Sequence, residues 1–124
     1  PIGTQVPFHA TSSGKLYLST LRSRALQGYL AGAKLTPHTS NTITDPEALA
    51  RELGLIRKQG YATDHQEFLP QMVAVAVPVL DAQDRLLATL AVHAPLQRRS
   101  VEDLLGFLDV LRDGARRLSQ LHAG

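Results

Sequence analysis

The chain has 124 residues, of which 44% are apolar and 19% charged, a balance typical of one globular domain rather than of a disordered segment. Its 13 basic and 11 acidic side chains give a net charge of +2, too small an excess to indicate nucleic-acid binding. Because the chain contains no cysteine, disulfides, thiol nucleophiles and thiolate metal sites are excluded.

Three helices are predicted in the first half of the chain. Residues 9–23 carry candidate N-cap residues followed by apolar side chains at helical spacing. Residues 28–32, bracketed by two glycines, form a second short helical stretch. The third helix begins at Asp45 and Pro46, because an aspartate caps free N–H groups and a proline fits the first helical position. Gly60 ends this helix.

The hydrophobic period then changes from that of helices to that of strands. Residues 61–65 are predicted to form a short strand, and the valine-rich segment Met72–Leu80 a buried one. The short polar link that follows predicts an antiparallel hairpin with a strand over residues 86–93. Residues 100–121 are predicted to form the longest helix. Helices packed on an antiparallel sheet make an α+β fold.

One face of the predicted hairpin carries mostly small side chains. Because side chains alternate along a strand, we expect one face to hold Met72, Ala74, Ala76, Thr89, Ala91 and His93. Small side chains beside one polar group leave room for a small molecule. Close packing of a helix explains the same pattern, and the pattern alone favours that simpler interpretation.

The polar segment before the first helix is a second candidate feature. N–H groups at a helix N-terminus bind carboxylates and phosphates, and Ser12 and Ser13 would add hydroxyl groups there. Ordinary capping of the helix is the alternative interpretation of the same residues.

Catalytic and metal-binding interpretations rest on few residues. Ser12 begins the S-x-x-K pattern of acylating penicillin-type enzymes, but the sequence has neither the S-D-N nor the K-T-G motif of that class. A hydrolase built on Ser12, His93 and Asp64 would need the base within hydrogen-bond reach of the nucleophile. A metal site assembled from Asp64, His65 and His93 is a further alternative. We expect no enzyme, no metal and no cofactor.

Several segments, taken in order along the chain, resemble IclR-type transcriptional regulators. Residues 7–15 are similar to the P-L-H-A-T-A-x-G-K segment of that family, and residues 35–44 to its L-T…T…T-I-T loop. Residues 49–62 match its L-x-x-E-L-x-x-[VI]-R-x-x-G-Y-A run, and Asp64 and Glu67 lie where its D-x-E-E lies. Residues 76–81 and 88–95 follow its two later strands. The joint spacing of these segments is specific.

This resemblance implies an effector-binding domain with a profilin- or GAF-like α+β fold. In the family, a winged helix-turn-helix domain binds operator DNA, while this domain binds a small-molecule effector and mediates formation of homodimers or homotetramers. The resemblance places the effector pocket between the sheet and the loop that opens the first helix. The matching positions here are Ser12, Ser13, Asp64, Met72, Ala74, Ala91 and His93.

Departures from the family's pattern suggest which effector to expect. Ala91 and His93 stand where the family often has two serines, and Gln66 replaces the first glutamate of its acidic pair. An acidic effector would still find loop N–H groups, Ser12 and His93, while alanines at 74 and 91 leave extra room. We therefore expect a small organic acid, with aromatic acids as candidates.

Further expectations concern the segments that lie outside the chain and the location of the protein. The resemblance predicts that the opening strands of the domain and the DNA-binding domain lie outside these 124 residues. No apolar run approaches the roughly 18–20 residues that span a membrane, so we expect a cytoplasmic protein without membrane contact. A constitutive dimerisation module with a vestigial pocket remains the alternative to an effector sensor.

Overall fold

A computed structural model describes residues 7–123 of the chain. The elements, in chain order, are α1 (Ser12–Ser19), α2 (Ser23–Gly32), α3 (Pro46–Gln59), β1 (Ala62–His65), β2 (Met72–Leu80), β3 (Leu86–Pro95), α4 (Val101–Leu105) and α5 (Leu108–Ala123). The three strands form one antiparallel sheet in the order β1-β2-β3. The predicted α+β class is confirmed.

Capping residues set the ends of α3 where the sequence predicts them. The Asp45 side chain accepts a hydrogen bond from the backbone N–H of Ala48, and Pro46 occupies the first helical position. Gly60 adopts a left-handed conformation with φ of 81°, which ends the helix at little steric cost.

The first helical region differs from its prediction. Residues 9–23 were expected to form one helix, but α1 ends at Ser19, where Thr20 and Leu21 make short turn bonds to Tyr17 and Leu18. Helix α2 then begins at Ser23, earlier than predicted, and continues through Gly28. A glycine inside an exposed helix costs only about 1 kcal/mol, which does not stop the helix from continuing.

The prediction of one continuous helix over residues 100–121 is also wrong. Helix α4 ends at Leu105, and the N–H groups of Gly106 and Phe107 bond to carbonyls three residues back instead of four. Helix α5 restarts at Leu108. The apolar period is preserved across this break, which is why the spacing alone predicts one continuous helix.

The sheet separates two apolar clusters. One face of β2 carries Val73, Val75, Val77 and Val79, which pack against α4 and α5. The opposite face carries alanines and is covered by α1, against which α3 packs; leucines of both helices join Ala62 and Ala76 in the second cluster. The alternation predicted for the hairpin is confirmed by the register, which pairs Ala76 with Ala91 and Ala74 with His93. Along residues 7–123, no helix has the length and apolar character needed to cross a membrane.

Candidate functional site

Three candidate residues form one row across the sheet. Asp64 of β1 pairs with Ala74 of β2, and Ala74 pairs with His93 of β3. Neighbouring strands lie about 4.8 Å apart, so Asp64 and His93 stand on either side of a small alanine. The next row toward the opposite end of the sheet contains Ala62, Ala76 and Ala91.

This face of the sheet is the one that α1 crosses. Met72 lies on it too, two residues before Ala74. Helix α1 contacts all three strands, and its first residue, Ser12, is fully buried. The sheet therefore provides a floor of small side chains, and the start of α1 lies on the same side of the sheet as Asp64 and His93.

The Ser12 hydroxyl has an unusual environment. Its Oγ atom is buried, and it makes no hydrogen bond within residues 7–123. The Thr11 side chain accepts the bond from the Gly14 N–H at 3.0 Å, so it caps α1 in place of Ser12. Helix geometry leaves the N–H groups of Ser12 and Ser13 without partners inside the helix. These donors and the hydroxyl make the start of α1 suited to an anion.

The structure separates the Ser13 side chain from that of Ser12. Successive helical residues are about 100° apart, and Ser13 points to a different groove, next to the first half of β3. That groove has a volume of about 530 Å³ and is lined by Phe8, Ser13, Gly14, Tyr17, Thr20, Leu86, Leu87, Ala88 and Thr89. The two serines, which the sequence treats as one feature, therefore face different surroundings.

Asp64 is a buried carboxylate with one hydrogen bond in the described part of the chain. Its Oδ1 atom accepts from the backbone N–H of Glu67 at 2.7 Å. Burial raises the pKa of Asp64 above its ordinary value of 3.8, and repulsion from Glu67 acts in the same direction. The hydrogen bond from Glu67 and the charges of Lys15 and His93 partly oppose this rise in pKa.

Lys15 lies near the candidate site but is not among the site residues predicted from the sequence. Its side chain is fully buried, and its Nζ atom lies 2.8 Å from Glu52 Oε2 and 2.8 Å from Glu67 Oε1. A buried lysine requires such partners, because an unpaired charge in the interior is costly. A lysine three residues after Ser12, within the apolar stripe of α1, is the sequence signal that could have revealed it.

The loop before α3 fixes the turn that follows Asp64. Thr42 Oγ1 donates to the Glu67 carbonyl at 2.6 Å, and Thr39 Oγ1 donates to the Gln66 carbonyl at 2.6 Å. Gln66 adopts a positive φ of 60°, which is uncommon outside glycine. Side chains from a distant loop thus hold the turn after β1 in a strained shape.

Among residues 7–123, the side chains named for a catalytic or a metal site do not come together. Asp64 and His65 are consecutive in β1, so their side chains point to opposite faces of the sheet. Over residues 7–123 no three histidine, aspartate or glutamate side chains are grouped to hold a metal. Within the same range Ser12 Oγ has no hydrogen bond to any base, including His93.

Comparisons with known proteins identify the family to which the chain is similar. The family described as bacterial transcriptional regulator IclR C-terminal matches residues 1–120. The probable transcriptional regulator SauR of Cupriavidus necator is 42% identical over 110 residues, which cover 89% of this chain and 44% of SauR. The chain spans less than half the length of the curated relatives that it matches.

Solved structures share the fold closely. The inducer-binding domain of the transcription factor PobR from Acinetobacter, a double mutant in complex with 3-hydroxybenzoic acid, superposes with a TM-score of 0.90 at 32% identity. That match covers 98% of this chain and 70% of the PobR chain. Thermotoga maritima IclR superposes with a TM-score of 0.85 at 34% identity, covering 97% of this chain and 49% of the other.

Proposed function

The chain belongs to the IclR family of bacterial transcriptional regulators, as its C-terminal domain, and from this premise we propose that it binds a small organic acid as its effector. The proposed site lies between the start of α1 and the sheet. The effector's carboxylate lies at the N–H groups of Ser12 and Ser13, and its body lies over Ala74 and Ala91.

The buried Ser12 hydroxyl carries this proposal. A buried polar group without a partner costs about 1–3 kcal/mol, and native proteins rarely keep one without a purpose. Among residues 7–123, Ser12 Oγ is such a group, and it stands beside N–H groups that the helix leaves free. A bound carboxylate would accept hydrogen bonds from all of these donors.

The side chains around the proposed site favour an acid that also carries an apolar group. The fully buried Ala74 and the half-buried Ala91 contribute methyl groups to the floor, and Met72 lies on the same face of the sheet. Asp64 and His93 add polar groups at the other side of the floor. PobR, whose inducer-binding domain shares this fold, is described with 3-hydroxybenzoic acid bound. That complex supports aromatic acids as the first candidates for this chain.

Within the longer regulator, effector binding would shift the balance between domain arrangements. A ligand changes such a balance only by binding one arrangement more tightly than the other. We propose that operator DNA is bound by the part of the regulator outside this chain, and that the protein works as a homo-oligomer in the cytoplasm. No role as an enzyme is proposed, since the matched relatives are transcriptional regulators.

Calorimetric titration with benzoate, 3-hydroxybenzoate, 4-hydroxybenzoate and short aliphatic acids tests the proposed function. We expect at least one acid to bind, and Ser12→Ala to weaken it about 10-fold, the equivalent of one lost hydrogen bond to a charged group. Ser19→Ala is the matched control, because its buried hydroxyl on the same helix already donates to the Leu16 carbonyl.

Two results would count against the proposal. Equal weakening by Ser12→Ala and Ser19→Ala would mean that α1 is disturbed as a whole. If no acid binds or raises the melting temperature, the domain is better explained as a constitutive oligomerisation module, because a bound ligand must stabilise the folded state.

A further inference from the structure

We infer that Glu67, held by Lys15, is a positioning residue that fixes Asp64 and the start of α1 relative to each other. The inference rests on the proposed function, because it concerns the two sides of the proposed acid site. Neither Glu67 nor Lys15 needs to touch the effector. Their role is to keep the groups that do so at a constant separation.

Glu67 makes four hydrogen bonds to other residues among residues 7–123. Its Oε1 atom accepts from Lys15 Nζ at 2.8 Å, and its Oε2 atom accepts from the His65 N–H at 3.0 Å. Its own N–H donates to Asp64 Oδ1 at 2.7 Å, and its carbonyl accepts from Thr42 Oγ1 at 2.6 Å. Both the side chain and the backbone of Glu67 are therefore fixed, and the Asp64 carboxylate is fixed through them.

Lys15 connects this turn to the other side of the site. It follows Ser12 by three residues, so the two side chains lie on the same side of α1. An ion pair between Lys15 and Glu67 therefore ties the helix that carries Ser12 to the turn that orients Asp64. The partners are 52 residues apart in the chain, so the contact joins two elements that no short connection holds together.

The lysine has a second carboxylate partner with a different role. Glu52 lies on α3, and its ion pair with Lys15 joins two helices without contacting the turn after β1. Its side chain is 26% exposed, compared with 7% for Glu67. The two ion pairs share one cation and the same 2.8 Å distance, which makes them matched partners for an experiment.

Glutamine at each position separates the two roles. A carboxylate offers two acceptor oxygens, but a glutamine side chain offers only one, so Glu67→Gln must leave either Lys15 or the His65 N–H without its acceptor. Glu52→Gln can still accept from Lys15 and has no such conflict within the described residues. Substitution of Lys15 itself is avoided, because it would leave two carboxylates without their cation.

The first measurement is acid binding by the intact protein, with the strongest binder among benzoate, 3-hydroxybenzoate, 4-hydroxybenzoate and the short aliphatic acids as the probe. We expect Glu67→Gln to weaken binding about 10-fold and Glu52→Gln to change it less than twofold, with both variants folded by circular dichroism. An equal loss of affinity in the two variants, or no loss in Glu67→Gln, would overturn the inference.

The second measurement needs no ligand. Hydrogen exchange of the backbone amide at residue 67 reports its bond to Asp64. We expect exchange at least 10-fold faster in Glu67→Gln, after correction for intrinsic rates, and unchanged within twofold in Glu52→Gln. Similar exchange in both variants contradicts a positioning role. If the wild type binds no acid, the proposed function fails, while this amide still decides whether Glu67 positions Asp64.

A milder variant protects the test against a folding failure. Thr42→Val removes the hydroxyl that donates to the Glu67 carbonyl and accepts from the His38 and Thr39 N–H groups, and it leaves the buried charges in place. If Glu67→Gln does not fold, Thr42→Val is expected to speed exchange at residue 67 and to weaken acid binding in the same direction. Unchanged exchange and unchanged binding would overturn the inference.

Discussion

Asp64 is buried, so ionisation of its carboxyl group destabilises the folded protein. Burial raises its pKa above 3.8, and in the described residues its carboxylate accepts one hydrogen bond, from Glu67. Groups with perturbed pKa values concentrate at functional sites, because a site optimised for binding is not optimised for stability. The hydroxyl of Ser12, which has no hydrogen-bond partner in the described part of the chain, is a second unfavourable feature on the same side of the sheet.

Asp64→Asn is expected to raise the melting temperature at pH 7. The pKa of Asp64 is raised in the folded state, so its stabilising contribution is complete below pH 3.8 and is lost as pH rises through the folded pKa. Asparagine keeps an acceptor for the Glu67 N–H and does not ionise. Melting curves should show the gain at pH 7 and a smaller gain near pH 4. Equal gains at both pH values would contradict this explanation.

His93→Ala tests the far side of the site. We expect about 10-fold weaker binding of the best aromatic acid, because the imidazole lies one strand away from the floor residue Ala74. Calorimetry on the wild type and the variant measures the difference. Equal binding by the two proteins would remove His93 from the site.

Sequence reasoning reaches only part of this site. The alternation of small residues along β2 and β3 predicts the face that holds Ala74, Ala91 and His93, because strand period depends on local order alone. The pairing of Lys15 with Glu52 and Glu67 depends on contacts across 37 and 52 residues, which no local pattern encodes. The different environments of Ser12 and Ser13 likewise follow from how α1 is rotated on the sheet.

Among the elements, α1 makes one close backbone approach at its first turn. A Cβ atom built on Gly14 would lie 2.5 Å from Phe8 Cα and 2.6 Å from Phe8 O, both backbone atoms that cannot move aside freely. Glycine here lets the segment before α1 fold back against its first turn. The opening of α1, and with it Ser12, depends on this contact.

Gly14→Ala is therefore expected to destabilise the protein by at least about 2 kcal/mol through overpacking. Gly28→Ala in α2 is the control, since no atom lies within 4 Å of its added Cβ, and it should stabilise by about 0.5–1 kcal/mol. Urea denaturation measures both. A small effect of Gly14→Ala would show that the segment at Phe8 can withdraw.

Strand boundaries were easier to predict than the extent of helices. Strand β2 occupies the predicted segment Met72–Leu80, because its valines are bounded by polar turns on both sides. The division of residues 100–121 at Gly106 was missed, since apolar spacing continues through a tight turn. The capping residues Asp45 and Gly60 predict both ends of α3. No capping residue in the sequence indicates where α1 ends.

At the scale of the whole molecule, strand β3 has an open edge within residues 7–123. It pairs with β2 on one side, and no described strand covers the other. Helix α5 adds exposed apolar side chains at Val110, Leu118 and Leu121, and its Gly114 lies against Leu90 of β3. An apolar open edge invites pairing with another strand. We propose that a strand outside residues 7–123 covers it.

Hydrogen exchange compares the two forms directly. Amides of β3 that point away from β2 should exchange rapidly in the 124-residue chain and at least about 100-fold more slowly in a regulator of the length of its curated relatives, because ladder hydrogen bonds protect amides from exchange. Equal exchange in both would mean that this edge stays open in the full protein.

The central claim is that an organic acid binds between the start of α1 and the alanine floor. Titration of the labelled protein with the strongest-binding acid, followed by backbone amide chemical shifts, tests it most directly. We expect the largest saturable shifts at Ser12, Ser13, Ala74, Ala91 and His93. Largest shifts in the groove lined by Phe8, Tyr17 and Leu87, or no saturable shift with any acid of the series, would contradict it.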